Sequence, residues 1–439
     1  MLELSLELSR INGLAWARGP RAGRGARLAT LLVALSLVAC SDKQGSENGG
    51  EAGDGGSSMA GSSTGGVSGV GGGGRGGTSN AGSSAGGNSG APGGGTAGSG
   101  GGGRGGAAGS PTGGSGGGAG SRGALPWLRV TGNRIEDPSG NEVILRGVSF
   151  IDLGATEEWE GGARQMIDRL TNTTDTASSS PGWYTRVVRL AIYPPDSEDF
   201  DSPNTYQAGN TAYYDTLLRP VVDYARQKGV YAIIDWHYIG DTNAHVQTTS
   251  AFWTDMAPRF ANDSHVLFEL FNEPINDGNW ASVRANMQTW YDIVRARAPQ
   301  NLVLVGTPNW CQIVGPTAQN PVNGTNIAYV AHMYPLHWNE PSLRSEITTA
   351  AAVHPVFVSE WGFDQGGNEI VDGTATNYGN PFKQFIEQNR LSWTAWCASS
   401  TWGPPMFNMD YSLRVGEGSM GGFVKDWLYE KRDANRPMP

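Results

Sequence analysis

Val266-Leu267-Phe268-Glu269-Leu270-Phe271-Asn272-Glu273-Pro274 is a short apolar run that ends in an amide, an acid and a proline. Its first six residues, Val266–Phe271, read as a strand. Downstream, Val283, Met287, Trp290 and Val294 recur at helical spacing up to Pro299, and another apolar run follows at Asn301–Gly306. Upstream, Tyr213, Leu217, Val221 and Tyr224 repeat that spacing before Lys228-Gly229, where glycine serves as a C-cap, and Val230–Asp235 follows. Strand, helix, strand is the unit of a parallel sheet. Extending the pattern outward adds Val143–Val148, Thr185–Ala191, Ile327–Met333, Val356–Ser359 and Ser392–Trp396, which makes eight candidates in all. The runs are continuously apolar, as expected for strands covered on both faces. An α/β fold, a closed (β/α)8 TIM barrel, accounts for the count and places its chemistry at the C-terminal strand ends.

Composition limits where that barrel can lie. Most of the 66 glycines fall in one block near the N-terminus, and such sequence cannot bury enough apolar surface to offset its ordering entropy. Roughly 310 residues remain from Trp127 onward, a size typical of one barrel. The expected domains are therefore a leader over 1–39, a disordered Gly/Ser-rich tether over 40–123 and the barrel over 124–439. The formal net charge of −10 disfavours nucleic acid and polyanions as partners. A neutral ligand fits better, and the 15 tryptophans supply flat rings on which sugar faces stack. No His/Cys cluster has metal-ligand spacing, so neither metal nor cofactor is expected.

Arg18, Arg21, Arg24 and Arg27 precede the apolar run from Leu28 to Ala39, the layout of a secretory signal too short to span a membrane. Leu37-Val38-Ala39-Cys40 resembles a bacterial lipobox, which implies a diacylated Cys40 as the mature N-terminus. A plain signal with an incidental cysteine is the alternative. The expectation is a secreted chain, a monomer, lipid-anchored to the cell envelope. The Gly-rich tether, about 75 residues, has a root-mean-square span on the order of 50 Å. Cys311 and Cys397, read on the fifth and eighth strands, are expected as buried free thiols.

Two strand ends carry acids. The fourth run leads to Asn272-Glu273-Pro274 and the seventh to Ser359-Glu360-Trp361-Gly362, each placing a carboxylate at the barrel mouth. Glycoside hydrolysis needs such a pair: one group protonates the leaving oxygen while the other attacks or activates water. A single Glu after a strand is usually capped or solvated. Two at strands four and seven of one barrel are hard to dismiss.

With these motifs the chain resembles glycoside hydrolase family 5, supported by Asp235-Trp236-His237, His332-Met333-Tyr334 and Trp393-Thr394-Ala395-Trp396. The resemblance runs from about Trp127 to Trp427 and implies retaining hydrolysis of a β-glycan. By it, Glu273 is the acid/base and Glu360 the nucleophile. Asn272 is similar to the amide that binds the sugar 2-hydroxyl. Arg189 and Tyr334 match a cation and a phenol lining the nucleophile, an arrangement that favours a charged carboxylate. His237 and His332 match histidines beside the sugar and the acid/base, and Trp396 matches the platform under the sugar. Each position also has a plainer reading: Arg189 as a barrel-end ion-pair partner, with Arg186 its rival for the role, and Asp235 and Glu269 as structural partners. Trp236, Trp310, Trp338, Trp361 and Trp402 divide between sugar platforms and packing. The leading expectation is endo-hydrolysis of β-1,4-glucan. A mannan or xyloglucan substrate, or a non-catalytic carbohydrate-binding barrel, remains open.

Overall fold

A computed structural model describes residues 125–195 and 205–438. The expected leader, Cys40 and the tether lie outside them. The eight barrel strands are β1 (Arg146–Ser149), β2 (Val187–Ile192), β3 (Tyr231–Trp236), β4 (Val266–Glu269), β5 (Val303–Val305), β6 (Ile327–His332), β7 (Val356–Glu360) and β8 (Ser392–Trp396). All neighbouring pairs are parallel and β8 closes on β1, giving the closed barrel that the strand count predicted.

Side-chain parity, hidden in continuously apolar runs, becomes visible here. Leu145, Val187, Tyr231, Ile233, Leu267, Leu304, Val330 and Phe357 pack together inside the barrel. Their neighbours Val188, Leu190, Ile234, Phe268, Tyr329 and Val358 belong to the larger cluster between barrel and helices. Successive strand residues point to opposite faces, so two positions beyond the interior set the same face holds Arg189, Asp235, Glu269, His332 and Ser359. One polar layer thus caps an apolar barrel interior. Ahead of β1 a small hairpin (Arg129–Thr131 with Arg134–Glu136) adds Leu128 and Ile135 to that interior cluster.

The helices follow from their apolar stripes. Val221, Val222 and Ala225 of α3 (Arg219–Gln227) are buried, as are Leu217 and Tyr213 in the π-helical turn before it. Gly229, at φ +73°, supplies the expected left-handed cap. Val283, Met287, Trp290 and Val294 line the buried face of α5 (Trp280–Arg297), which packs on α4 (Val246–Arg259). The connection over 154–181, unresolved in the sequence, contains two helices, α1 (Leu153–Trp159) and α2 (Ala163–Leu170). Asp152 caps α1 by accepting from Ala155 N–H, and each helix is too short to show more than two turns of periodicity. The rest of that connection is tied down by Asp426, which accepts from Ser178, Ser179 and Ser180.

Two placements need correction. Cys311 does not lie on the fifth strand, because β5 stops at Val305 and Pro308 opens a separate turn, Pro308–Cys311. Cys397 directly follows β8, which ends at Trp396, rather than lying on it. Both thiols are buried and free.

Gly147 on β1 shows how tightly the barrel closes. A Cβ there would sit 1.7 Å from the Val187 carbonyl oxygen on β2. That obstacle is backbone, which cannot swing aside as a side chain does. Gly147→Ala should therefore destabilise the domain by about 3 kcal/mol or more, read as a lowered denaturant midpoint. An unchanged midpoint would show that the strands can separate at this point.

Candidate active site

Arg189 is the centre of the polar layer. It comes from β2, is fully buried, and faces three acids. Nε and Nη2 donate to the two oxygens of Glu269 at 2.8 and 3.1 Å, a bidentate pair. Nη2 also lies 3.0 Å from Asp235, and Nη1 donates to Glu360 Oε1 at 2.7 Å. The guanidinium further donates to Asn272 Oδ1 at 2.5 Å. Arg186 belongs to the opposite end, where it donates to the Arg432 carbonyl and lines a cavity of about 220 Å3 with Tyr231 and Met438. Among the described residues its lining is two arginines, Tyr231 and apolar or backbone groups.

Two backbone devices aim the paired carboxylates. Past β3 and β4 the chain continues as a short parallel ladder, with Ile239 opposite Glu273 and Gly240 opposite Pro274. Glu273 N–H donates to the Tyr238 carbonyl at 2.9 Å, which fixes the residue above the layer. On the other side the β6–β7 register slips: Ala331 faces Val358, but His332 faces Glu360. Strict alternation would turn Glu360 away from Ser359. The irregularity lets both reach the interior, as bulges do beside functional sites.

Glu273, His332 and Glu360 consequently bring one donor atom each within 4.8 Å of one another. Such a trio could in principle hold a metal. Here, however, the Glu360 oxygens already accept from Arg189 and from Tyr334 Oη at 2.9 Å, and Glu273 Oε1 lies 2.8 Å from His332 Nδ1. A dication would have to sit beside the Arg189 cation. The pair suits a neutral ligand that develops positive charge better than a resident metal.

Electrostatics acts strongly on Glu273 and on the histidines near it. Burial pushes the Glu273 carboxyl up to about 7, with Arg189 opposing and Glu269 reinforcing the rise. Burial holds His332 down at about 4, helped by Arg189 and opposed by Glu360, so it is neutral near pH 7. His237 is likewise held neutral, down to about 3, by burial and Arg189. It lies 2.5 Å from Asp235 through Nδ1 and stacks between Trp396, at 5.2 Å, and Tyr193, at 4.5 Å. Asn272 Nδ2 is buried with no partner among the described residues.

All eight expected residues, Arg189, His237, Asn272, Glu273, His332, Tyr334, Glu360 and Trp396, fall within this one connected group. Sequence reasoning missed Tyr193, Ser359 and Glu160. Glu160, fully buried at the end of α1, accepts from Ser399, Ser400 and Thr401 and so holds the loop carrying Trp402. Only the parity of β7 could have flagged Ser359. Of the tryptophans in question, Trp236 and Trp361 are core residues, packed on Phe252 and Phe382 respectively. Trp310, Trp338 and Trp402 remain partly exposed.

Because the folded-state value of Glu273 lies above its ordinary 4.5, folding favours the protonated form. Stability is therefore lost as pH rises from that value through about 7 and the buried group ionises. A glutamine carries no charge and can still donate to His332 Nδ1. E273Q should be more stable than wild type by about 1–3 kcal/mol above neutral pH, with the difference vanishing in acid. Urea unfolding at both pH values checks this; a variant less stable at high pH would show that Glu273 gains, rather than loses, by ionising.

Comparison with known proteins bears on what this group belongs to. Residues 137–401 match the model of the family Cellulase (glycosyl hydrolase family 5). Endoglucanase E-5 of Thermobifida fusca is 28% identical over 281 residues, 61% of this chain and 55% of the relative. Endoglucanase Z of Dickeya dadantii is 30% identical over 272 residues, 60% of each chain. The chain thus spans a little over half the length of these curated relatives. A crystal structure of a beta-glucanase from Saccharophagus degradans superposes with a TM-score of 0.61 at 25% identity, covering 70% of this chain and 94% of that one. The family match takes in more than half of the sequence and the whole of the polar layer, and the chain belongs to glycosyl hydrolase family 5.

Proposed function

We propose that this protein is a retaining endo-β-1,4-glucanase, with Glu360 as nucleophile and Glu273 as acid/base. The observation that carries the reading is the pairing of two carboxylates at the ends of β4 and β7 with oxygens within 4.8 Å. Retaining glycosidases hold their carboxyl groups about 5–5.5 Å apart, whereas inverting enzymes need about 6.5–9.5 Å to admit a water. Three relatives named endoglucanase, E-5 and Z among them, support a glucan as substrate.

The chemistry follows from the contacts. Glu273 donates its proton to the glycosidic oxygen as that bond breaks, while a Glu360 oxygen attacks the anomeric carbon to form a glycosyl ester. Arg189 and Tyr334 hold the Glu360 carboxylate in place for attack. Water then adds to the anomeric carbon, gives its proton to Glu273, and releases Glu360. The unpartnered Asn272 amide is a donor for the sugar 2-hydroxyl, a contact that strengthens in the transition state. Trp396, backed by His237, offers its ring to the sugar face.

The same reading places the enzyme on the cell envelope through Cys40, with the Gly-rich stretch as tether. It is supported by the apolar run and Leu37-Val38-Ala39-Cys40 alone. A fatty-acid analogue should label the expressed chain but not C40A; equal labelling of the two would remove the anchor from this reading.

Activity is tested with the full-length protein on carboxymethyl-cellulose and galactomannan. We expect reducing ends from the first, retention of anomeric configuration by NMR, and losses of at least about 10²–10⁴-fold in E273Q and E360Q. Hydrolysis of galactomannan alone would keep the mechanism and change the sugar. Release from neither, with binding unaffected in both variants, would leave a carbohydrate-binding barrel.

A further inference from the structure

The polar layer contains a hydrogen-bonded chain that the double-displacement scheme does not use. Glu273 Oε1 meets His332 Nδ1 at 2.8 Å, His332 Nε2 meets Ser359 Oγ at 3.0 Å, and Ser359 Oγ meets Glu269 Oε1 at 2.8 Å. Glu269 in turn is clamped by Arg189. His332, Ser359 and Glu269 are essentially buried, so each proton in the chain must be accounted for.

The accounting starts at Glu269. Burial pushes this acid upward, but both of its oxygens face guanidinium N–H groups, to which it can only accept. As a carboxylate it must also accept from Ser359, which spends the single hydroxyl proton. The Ser359 oxygen then has only acceptor capacity left for His332 Nε2, which must carry the imidazole proton. A neutral His332 therefore presents a bare Nδ1 to Glu273, and the 2.8 Å contact closes only if Glu273 supplies the proton. In the opposite arrangement Nδ1–H would donate to an ionised Glu273 and Nε2 would take the Ser359 proton. With Glu269 kept as a carboxylate by its bidentate pair with Arg189, that leaves two oxygens, Ser359 Oγ and Glu269 Oε1, 2.8 Å apart with no proton between them.

We propose that Ser359, by donating to Glu269 while accepting from His332, fixes the His332 tautomer that keeps the proton on Glu273. Ser359 and Glu269 are positioning residues; neither touches the reacting atoms. The inference rests on Glu273 being the acid/base. It also gives the second half-reaction a driving force. Once Glu273 has passed its proton to the leaving oxygen, its carboxylate faces a bare nitrogen, and recovering a proton from the attacking water restores the contact. Around Glu273 the other charged or titratable groups are Arg189 on β2, Asp235 on β3, Glu269 beneath it, Cys311 in the turn after β5, Tyr334 beyond β6 and Glu360 on β7. Substitution of Ser359 alters the charge of none of these.

The test is the alkaline limb of kcat/KM against pH on β-1,4-glucan. Wild type should lose activity around pH 7. In S359A, where His332 is free to turn its proton toward Glu273, the limb should move down by about one pH unit, the equivalent of one neutral hydrogen bond. S359T, which keeps the hydroxyl, should restore the limb. A purely structural serine would lower activity at every pH without moving the limb. Nitrogen NMR of the wild-type imidazoles gives a reading independent of any variant: His332 should show a protonated Nε2 and a bare Nδ1 near pH 6. The reversed pattern, or an unshifted limb in a folded S359A, overturns the proposal. E273Q, run alongside, separates the failures: if it retains turnover the acid/base assignment itself is wrong, whereas its loss with an unshifted S359A limb removes only the role of Ser359.

Discussion

One buried cation shared among several acids is the constraint on which the site depends. Arg189 is entirely withdrawn from solvent and contacts Asp235, Glu269 and Glu360, each from a different strand. Withdrawing a guanidinium from water is tolerable only with such partners, and removing the cation would leave buried carboxylates uncompensated, at a cost of about 3–5 kcal/mol. The same arithmetic acts on the fourth acid. Arg189 makes no direct contact with Glu273 and only partly opposes the rise that burial imposes, while His237 and His332 are held neutral, so the Glu273 carboxyl is pushed up to about 7. The protonation of Glu273 thus depends on burial and on how one charge is distributed across a barrel layer.

Geometry makes that distribution possible. A closed parallel barrel brings inward-facing residues from all strands to a common level, so Arg189, Asp235, Glu269, His332 and Ser359 meet although they span 171 positions of sequence up to Glu360. Departures from regularity do the final aiming. The slipped register between β6 and β7 lets consecutive residues Ser359 and Glu360 serve the same interior, and the short ladder beyond β3 and β4 carries Glu273 past the barrel rim. Rigid strands supply the level, and local irregularity supplies the direction.

Much of this was legible in the chain. Short apolar runs alternating with helical spacing dictated eight strands, and the acids following the fourth and seventh runs could be singled out because a barrel exposes its strand ends. Other features lacked a one-dimensional signal. Continuous apolarity concealed which residues face inward, so Ser359 looked like an ordinary strand residue and Trp236 and Trp361 looked like possible sugar platforms. The helices α1 and α2 are too brief for periodicity to stand out, and Glu160 gains its role only from a loop more than two hundred residues away. Cys311 was misplaced because it was assigned to the fifth strand although the run ends well before it, at Gly306, and Pro308 opens a separate turn in between.

The most direct test of the account is covalent trapping with a 2-fluoro-cellobioside bearing an activated leaving group. The fluorine slows breakdown of the ester more than its formation, so a glycosyl-enzyme should accumulate, and peptide mass mapping should find the sugar on Glu360. Sugar attached to Glu273 or to another residue, or steady turnover without any covalent adduct, would contradict the assignment of these two carboxylates.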